Sequence, residues 1–163
     1  MAVLTSTDIN ARIFEPKVQN RFLMSMGDTG IPGFMIKNVT APNFEDEVVK
    51  LDHINTYTKI RGKREWGNMD MTLYDPITPS GAQAVMDWAR LSYESVTGRA
   101  GYRDFYKKEI RLQILGPVGD VVSEWVLKGS FVTSMSQGSF DWATSDVAEL
   151  TMTVAMDYCV LNY

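Results

Sequence analysis

The sequence predicts a mainly β protein: an antiparallel sheet system flanked by one α-helix over about residues 79–97. Three observations carry that prediction. Apolar and polar residues alternate with period two in several segments, turn-forming residues separate those segments, and a single stretch follows a helical period instead.

The first alternating run lies at Asn20–Met26, where Phe22, Met24 and Met26 share one face and Arg21 and Ser25 the other. Gly30-Ile31-Pro32-Gly33 then supplies a turn ahead of the next strand. Met69, Met71 and Leu73 alternate with Asn68, Asp70 and Thr72, and Ile110, Leu112 and Ile114 with Glu109, Arg111 and Gln113. Gly116-Pro117-Val118-Gly119-Asp120 is a second turn, followed by a strand-like segment over Glu124–Ser134 rich in Val, Trp and Phe. The longest alternation closes the chain: Leu150, Met152, Val154, Met156 and Tyr158 against Glu149, Thr151, Thr153, Ala155 and Asp157. Such patterns mark strands with one face buried and one solvated.

Between Pro79 and Val96 the residues Ala82, Val85, Trp88, Ala89, Ser92 and Val96 fall near one helical face. Thr78 is placed to cap this helix with Pro79 at its first position, and Gly98 to end it. No linker and no internal repeat interrupts the chain, so residues 1–163 are expected to form one domain.

Residues 44–64 have a different character and read as a charged hairpin. One arm holds Glu45, Asp46, Glu47 and Asp52, the other Lys59, Arg61, Lys63 and Arg64. The plain reading is a solvated hairpin with ordinary surface charge. The sharper one makes these eight residues a contact with a neighbouring copy, in which opposite charges set register and orientation.

Composition narrows the function. A formal net charge of −4 argues against gripping nucleic acid through a basic surface. Tyr102, Phe105 and Tyr106 are interleaved with Arg99, Arg103, Lys107, Lys108 and Arg111, a pattern that suits single-stranded nucleic acid, but Asp104 and Glu109 interrupt it. Residues 1–8 lack the basic and apolar regions of a secretory signal, and no apolar run approaches the ~20 residues that span a bilayer. His53 is the one histidine and Cys159 the one cysteine, so metal ligation, a disulfide and nucleophilic chemistry have few residues to use, and no cofactor is expected. The glycines at 27, 30 and 33 match no phosphate-binding spacing.

From Pro117 onward Lys128 is the one basic residue against Asp120, Glu124, Asp141, Asp146, Glu149 and Asp157. A polar, acidic strand face is ordinary solvated surface, and it is also what a channel needs if DNA is to slide past without sticking.

The order of several landmarks resembles the tail tube proteins of T-even-type contractile bacteriophages, the myophage tail tube family. They are Asn20-Arg21-Phe22, Lys37-Asn38-Val39-Thr40-Ala41-Pro42, Trp66 to Asp75, the helix with Trp88, Lys128-Gly129, and Glu149 to Tyr158 with its Leu-Thr-x-Thr-x-x-x-Asp-Tyr ending. The resemblance implies a β-sandwich or barrel-like tail tube fold and a non-enzymatic structural subunit that self-assembles into stacked hexameric rings. It implies a lumen that holds the tape-measure protein during assembly and later passes DNA, with the tail sheath, baseplate and tail terminator as partners. It also implies residence in the virion tail after synthesis in the bacterial host cytoplasm. Residues expected to line the lumen are Asn68, Asp70, Thr72, Glu149, Thr151, Thr153 and Asp157. Residues 1–16 and 159–163 stand outside the family pattern as N- and C-terminal extensions. Two rival readings remain open: the tube of a phage-derived contractile injection or secretion system, and a soluble β-barrel binding module.

Overall fold

The computed structural model of the chain describes residues 15–163, so all but the last two residues of the expected N-terminal extension lie outside the described residues. Among the described residues the strands are β1 Phe22–Ser25, β2 Ile36–Val39, β3 Phe44–His53, β4 Thr56–Trp66, β5 Met69–Tyr74, β6 Lys108–Leu115, β7 Val121–Ser136, β8 Glu149–Ala155 and β9 Tyr158–Asn162. The helices are α1, Gly81–Ser92, and the single-turn α2, Arg103–Tyr106. The fold is mainly β, and every strand pairing is antiparallel.

β7 organises the body. Its first half pairs with β6 on one side and β9 on the other, and its second half pairs with β8. A first sheet, β1–β6–β7–β9, and a second, β7–β8–β5–β2, therefore share one strand. The corner falls at Gly129, whose φ of 66° is a left-handed conformation that a side chain resists. Opposite it the final alternating segment breaks at Met156-Asp157, with the Asp157 amide donating to the Lys128 carbonyl at 3.0 Å.

That break corrects one expectation. The alternation predicts Tyr158 on the buried side, but the break shifts the phase by one residue, so Cys159 is buried and Tyr158 is half exposed. The residues expected to form a C-terminal extension, 159–163, pack against the body as their apolar character suggests, with Cys159–Asn162 in β9 aligned against β7. Glu124 of β7 is buried and locks β9 in place, accepting from Gln113 of β6 at 2.9 Å and Asn162 of β9 at 3.3 Å. Those two amide donors hold its carboxyl below the usual glutamate range.

Apart from Tyr158, the alternating residues predicted to face inward are buried or partly buried. Met69, Met71 and Leu73 of β5 meet Leu150, Met152 and Val154 of β8, all six fully buried, and Met24, Met26, Ile110, Leu112 and Leu127 extend the core into the first sheet. Val85 and Trp88 of α1 complete it, and the Trp88 indole donates to the Tyr106 carbonyl at 2.8 Å.

α1 is shorter than predicted, covering 81–92 rather than 79–97. Ser80, not Thr78, is the cap, accepting from the Gln83 amide at 3.3 Å. Asp75 assists from the end of β5: its carboxylate accepts from the amides of Gly81 at 2.9 Å and Ala82 at 3.2 Å, and from the Gln137 side chain at 2.9 Å. At the other end Tyr93 turns extended and pairs with Ala100, while Gly98 sits in the intervening turn. Val96 is thereby left exposed, away from the helical face assigned to it.

Gly129→Ala places a methyl group against the Asp157 carboxylate in a left-handed backbone conformation. Its expected cost is at least ~1–2 kcal/mol, read as a lower urea midpoint with an unchanged slope. Burial works to raise the pKa of Asp75, but its hydrogen bonds outweigh that and leave it lowered. A carboxylate with a folded pKa below its unfolded value stabilises above about pH 4, and that contribution disappears as pH falls through the folded pKa. Asp75→Asn is expected to cost about 1 kcal/mol at pH 7. Its deficit relative to the unsubstituted chain should shrink in urea unfolding at pH 2.

Candidate assembly surfaces

The outer face of the second sheet gathers most of the residues expected to line a lumen. Asp70 lies opposite Thr153, and Thr72 opposite Thr151. The Thr153 hydroxyl donates to the Asp70 carboxylate at 2.7 Å. Ser134 and Ser136 continue the row onto β7, and Asn38 continues it onto β2. Glu149, opposite Tyr74, accepts from the Lys37 ammonium at 2.5 Å, and this bond is the main cause of the raised Lys37 pKa. Two residues fall outside the row. Asn68 belongs to the connection entering β5, at the root of the hairpin, and Asp157 sits at the β8–β9 break, where Lys107 holds it at 2.6 Å.

β3 and β4 form a separate two-stranded sheet that pairs with nothing else among the described residues. The register puts Phe44, Asp46, Val48, Lys50 and Asp52 on one face with Trp66, Arg64, Arg61, Lys59 and Tyr57. Opposite-sign arms do meet, within this chain, at one point: Arg64 donates two hydrogen bonds to Asp46, at 2.7 and 2.8 Å. Its guanidinium stacks 3.8 Å from the Phe44 ring centroid. The Arg64 hydrogen bond is the chief cause holding the Asp46 carboxyl below its usual range. Arg61 is more distant, at 3.9 Å. Beyond that pair the charges are unmatched across the strands: Lys50 stands opposite Lys59, and on the other face Glu45 opposite Glu65. Glu47 stands against the Gly62–Lys63 bulge, and Asp52 opposite Tyr57. Val49 and Ile60 pair on that second face, and both are exposed, as is Leu51. His53 lies at the exposed tip beside Ile54.

In the two larger sheets four strand edges lack a partner among the described residues: β1 and β9 in the first, β2 and the second half of β7 in the second. Such edges are templates for pairing with another chain. Cys159 is a poor nucleophile, because burial pushes its thiol up to about 11 and leaves little thiolate at neutral pH.

The sequence reading passed over the segment from Gln137 to Ala148, which joins β7 to β8. It borders an open cleft of about 1050 Å³ whose lining includes Tyr74, Phe140, Trp142 and Val147 together with Asp141 and Asp146. Trp142 is fully exposed and Phe140 largely so. The available signal was two large aromatics in an acidic stretch without alternation, which marks a loop whose apolar side chains do not serve the core.

No protein-family model matches the sequence, and no curated protein matches it. Solved structures do. A chain from the cryo-EM structure of the PVC extracellular contractile injection system, sheath/tube terminator in the extended state, is 20% identical, with a TM-score of 0.75 over 93% of this chain and 99% of that one. A chain from the PVC sheath–tube complex in the extended state is 20% identical, with a TM-score of 0.71 over 98% and 99%. One from the tube-terminating cap of the anti-feeding prophage is 18% identical, with a TM-score of 0.74 over 92% and 93%. The chain thus shares its fold, over nearly its whole length, with components of contractile injection systems.

Proposed function

We propose that this chain is a structural subunit of the inner tube of a contractile tail, built by self-assembly into stacked hexameric rings. The observation that carries the reading is the β3–β4 hairpin, which is exposed on both faces and includes Val48, Val49, Leu51, Ile54 and Ile60. A two-stranded hairpin alone in water is marginally stable, and apolar side chains on both of its surfaces call for a covering partner. The four open strand edges make the same demand, and ring closure answers it by pairing each edge with a neighbour's.

In this reading the Asp70–Thr72–Thr151–Thr153 row with Glu149 lines the lumen, where acidic and small polar side chains repel phosphate and offer little to hold it. Glu45, Asp46, Glu47, Asp52, Lys59, Arg61, Lys63 and Arg64 contribute to contacts between subunits or rings. The tape-measure protein occupies the lumen during assembly and DNA passes later. The sheath contacts the outside, and baseplate and terminator close the ends, in a particle assembled in the host cytoplasm. The resemblance to T-even-type tails favours a virion. The shared fold with extracellular injection systems supports a second reading, in which the same tube belongs to a phage-derived device and carries a different cargo.

Electron microscopy of the purified chain at high concentration tests the proposal. Rings that stack into tubes of indefinite length are expected. Rings that never stack point to a terminator instead, and a monodisperse monomer by light scattering removes the assembly reading altogether.

A further inference from the structure

The two ends of β5 carry two features that no other part of the described chain covers. The hairpin is rooted at the start of β5, where Gly67 bonds back to Asn43 at 3.0 Å and Met69 begins the strand. The cleft opens at the other end, where Tyr74 finishes β5 and Glu149 begins β8.

Their chemistry is complementary. The distal half of the hairpin, residues 50–61, holds Lys50, Lys59 and Arg61 against Asp52, and its tip presents Ile54, which is 101% exposed. The segment 137–149 holds Asp141, Asp146 and Glu149 with no lysine or arginine. It presents Trp142, 105% exposed, beside Phe140 and Val147. Lys50 and Lys59 face each other directly across the hairpin, with their ammoniums 5.2 and 5.8 Å from the Tyr57 ring centroid, and two like charges so placed favour an anionic group between or above them. The aromatic cleft has the converse need: an apolar side chain to bury against, delivered by a basic segment.

We propose that the hairpin tip of one copy seats in the Tyr74–Phe140–Trp142 cleft of a second copy, with Ile54 against the aromatics and Lys50 and Lys59 against Asp141 and Asp146. The contact joins two different surfaces, so it propagates from copy to copy rather than closing on a two-fold axis. It rests on the tube reading for its setting, and it names the receiving surface that the reading leaves open. The apolar insertion supplies affinity, and the charges select the tip and its orientation.

The test uses the full chain with Asn55→Cys and Ala143→Cys together, neighbours of Ile54 and Trp142 that leave both apolar anchors in place. Both positions are exposed, and the native Cys159 is buried. Mild oxidation is expected to give a ladder of covalent multimers on a denaturing gel, collapsed by reductant, while either single substitution gives none beyond a dimer. Adding Lys50→Glu and Lys59→Glu to the double-cysteine chain should lower the multimer yield several-fold, and adding Asp141→Lys and Asp146→Lys as well should restore it. Rings or tubes by microscopy without cross-linked multimers overturn the docking and leave the tube reading standing. A ladder that ignores the charge reversals overturns the ion-pair part. An unsubstituted chain that remains monomeric, with no ladder from the double-cysteine chain, overturns both.

Discussion

β7 runs for sixteen residues and serves two sheets, and it does so because Gly129 allows the backbone to turn where any side chain would collide with Asp157. Bending one strand in place makes the two sheets continuous through covalent backbone, so their apolar faces close on one core. The break at Met156-Asp157 is the answering bend in the partner. Without it β8 and β9 could not both follow β7, and Glu124 would lose Asn162.

The core closed in this way is rich in methionine. Met24, Met26, Met35, Met69, Met71, Met152 and Met156 are buried, seven of the nine among the described residues. An unbranched, polarizable side chain adapts to the irregular space at a sheet corner better than a β-branched one. β-branched residues contribute to the same core, as with Val154 of β8 and Val85 on the inner face of α1. Asp75 joins these parts by clamping the α1 N-terminus and Gln137 to the end of β5, and so fixes where the aromatic loop begins.

Outside the core the chain leaves interactions unfinished in an ordered way. In the hairpin, Asp46 and Arg64 satisfy each other beside the Phe44–Trp66 pair at the root, while the charges further out remain unmatched across the strands. Like charges directly opposite one another, Lys50 and Lys59 among them, cost the monomer some stability and remain available to an interface. The polar row on the second sheet is the opposite kind of surface: Thr153 bonds to Asp70 and Lys37 to Glu149, so these polar groups are paired within the sheet.

Much of the architecture was legible from alternation. Solvent exclusion acts on each strand separately, and a residue two positions along a strand must point the same way, so the inward sets of β1, β5, β6 and β8 follow from the order of residues. The charged hairpin was legible too, because no buried strand tolerates so many ionised side chains. The helix limits were not: Thr78, Pro79 and Gly98 are sound local signals, yet Asp75 reaching back from β5 set the start, and the Tyr93–Ala100 bridge set the end. The same holds for the phase change that buries Cys159 instead of Tyr158, for the Lys37–Glu149 pair, and for the cleft at Trp142. Each depends on segments far apart in the chain meeting at a corner or a strand end. A local pattern specifies which face of an element is apolar, but the meeting points exist only once those faces have closed on one another.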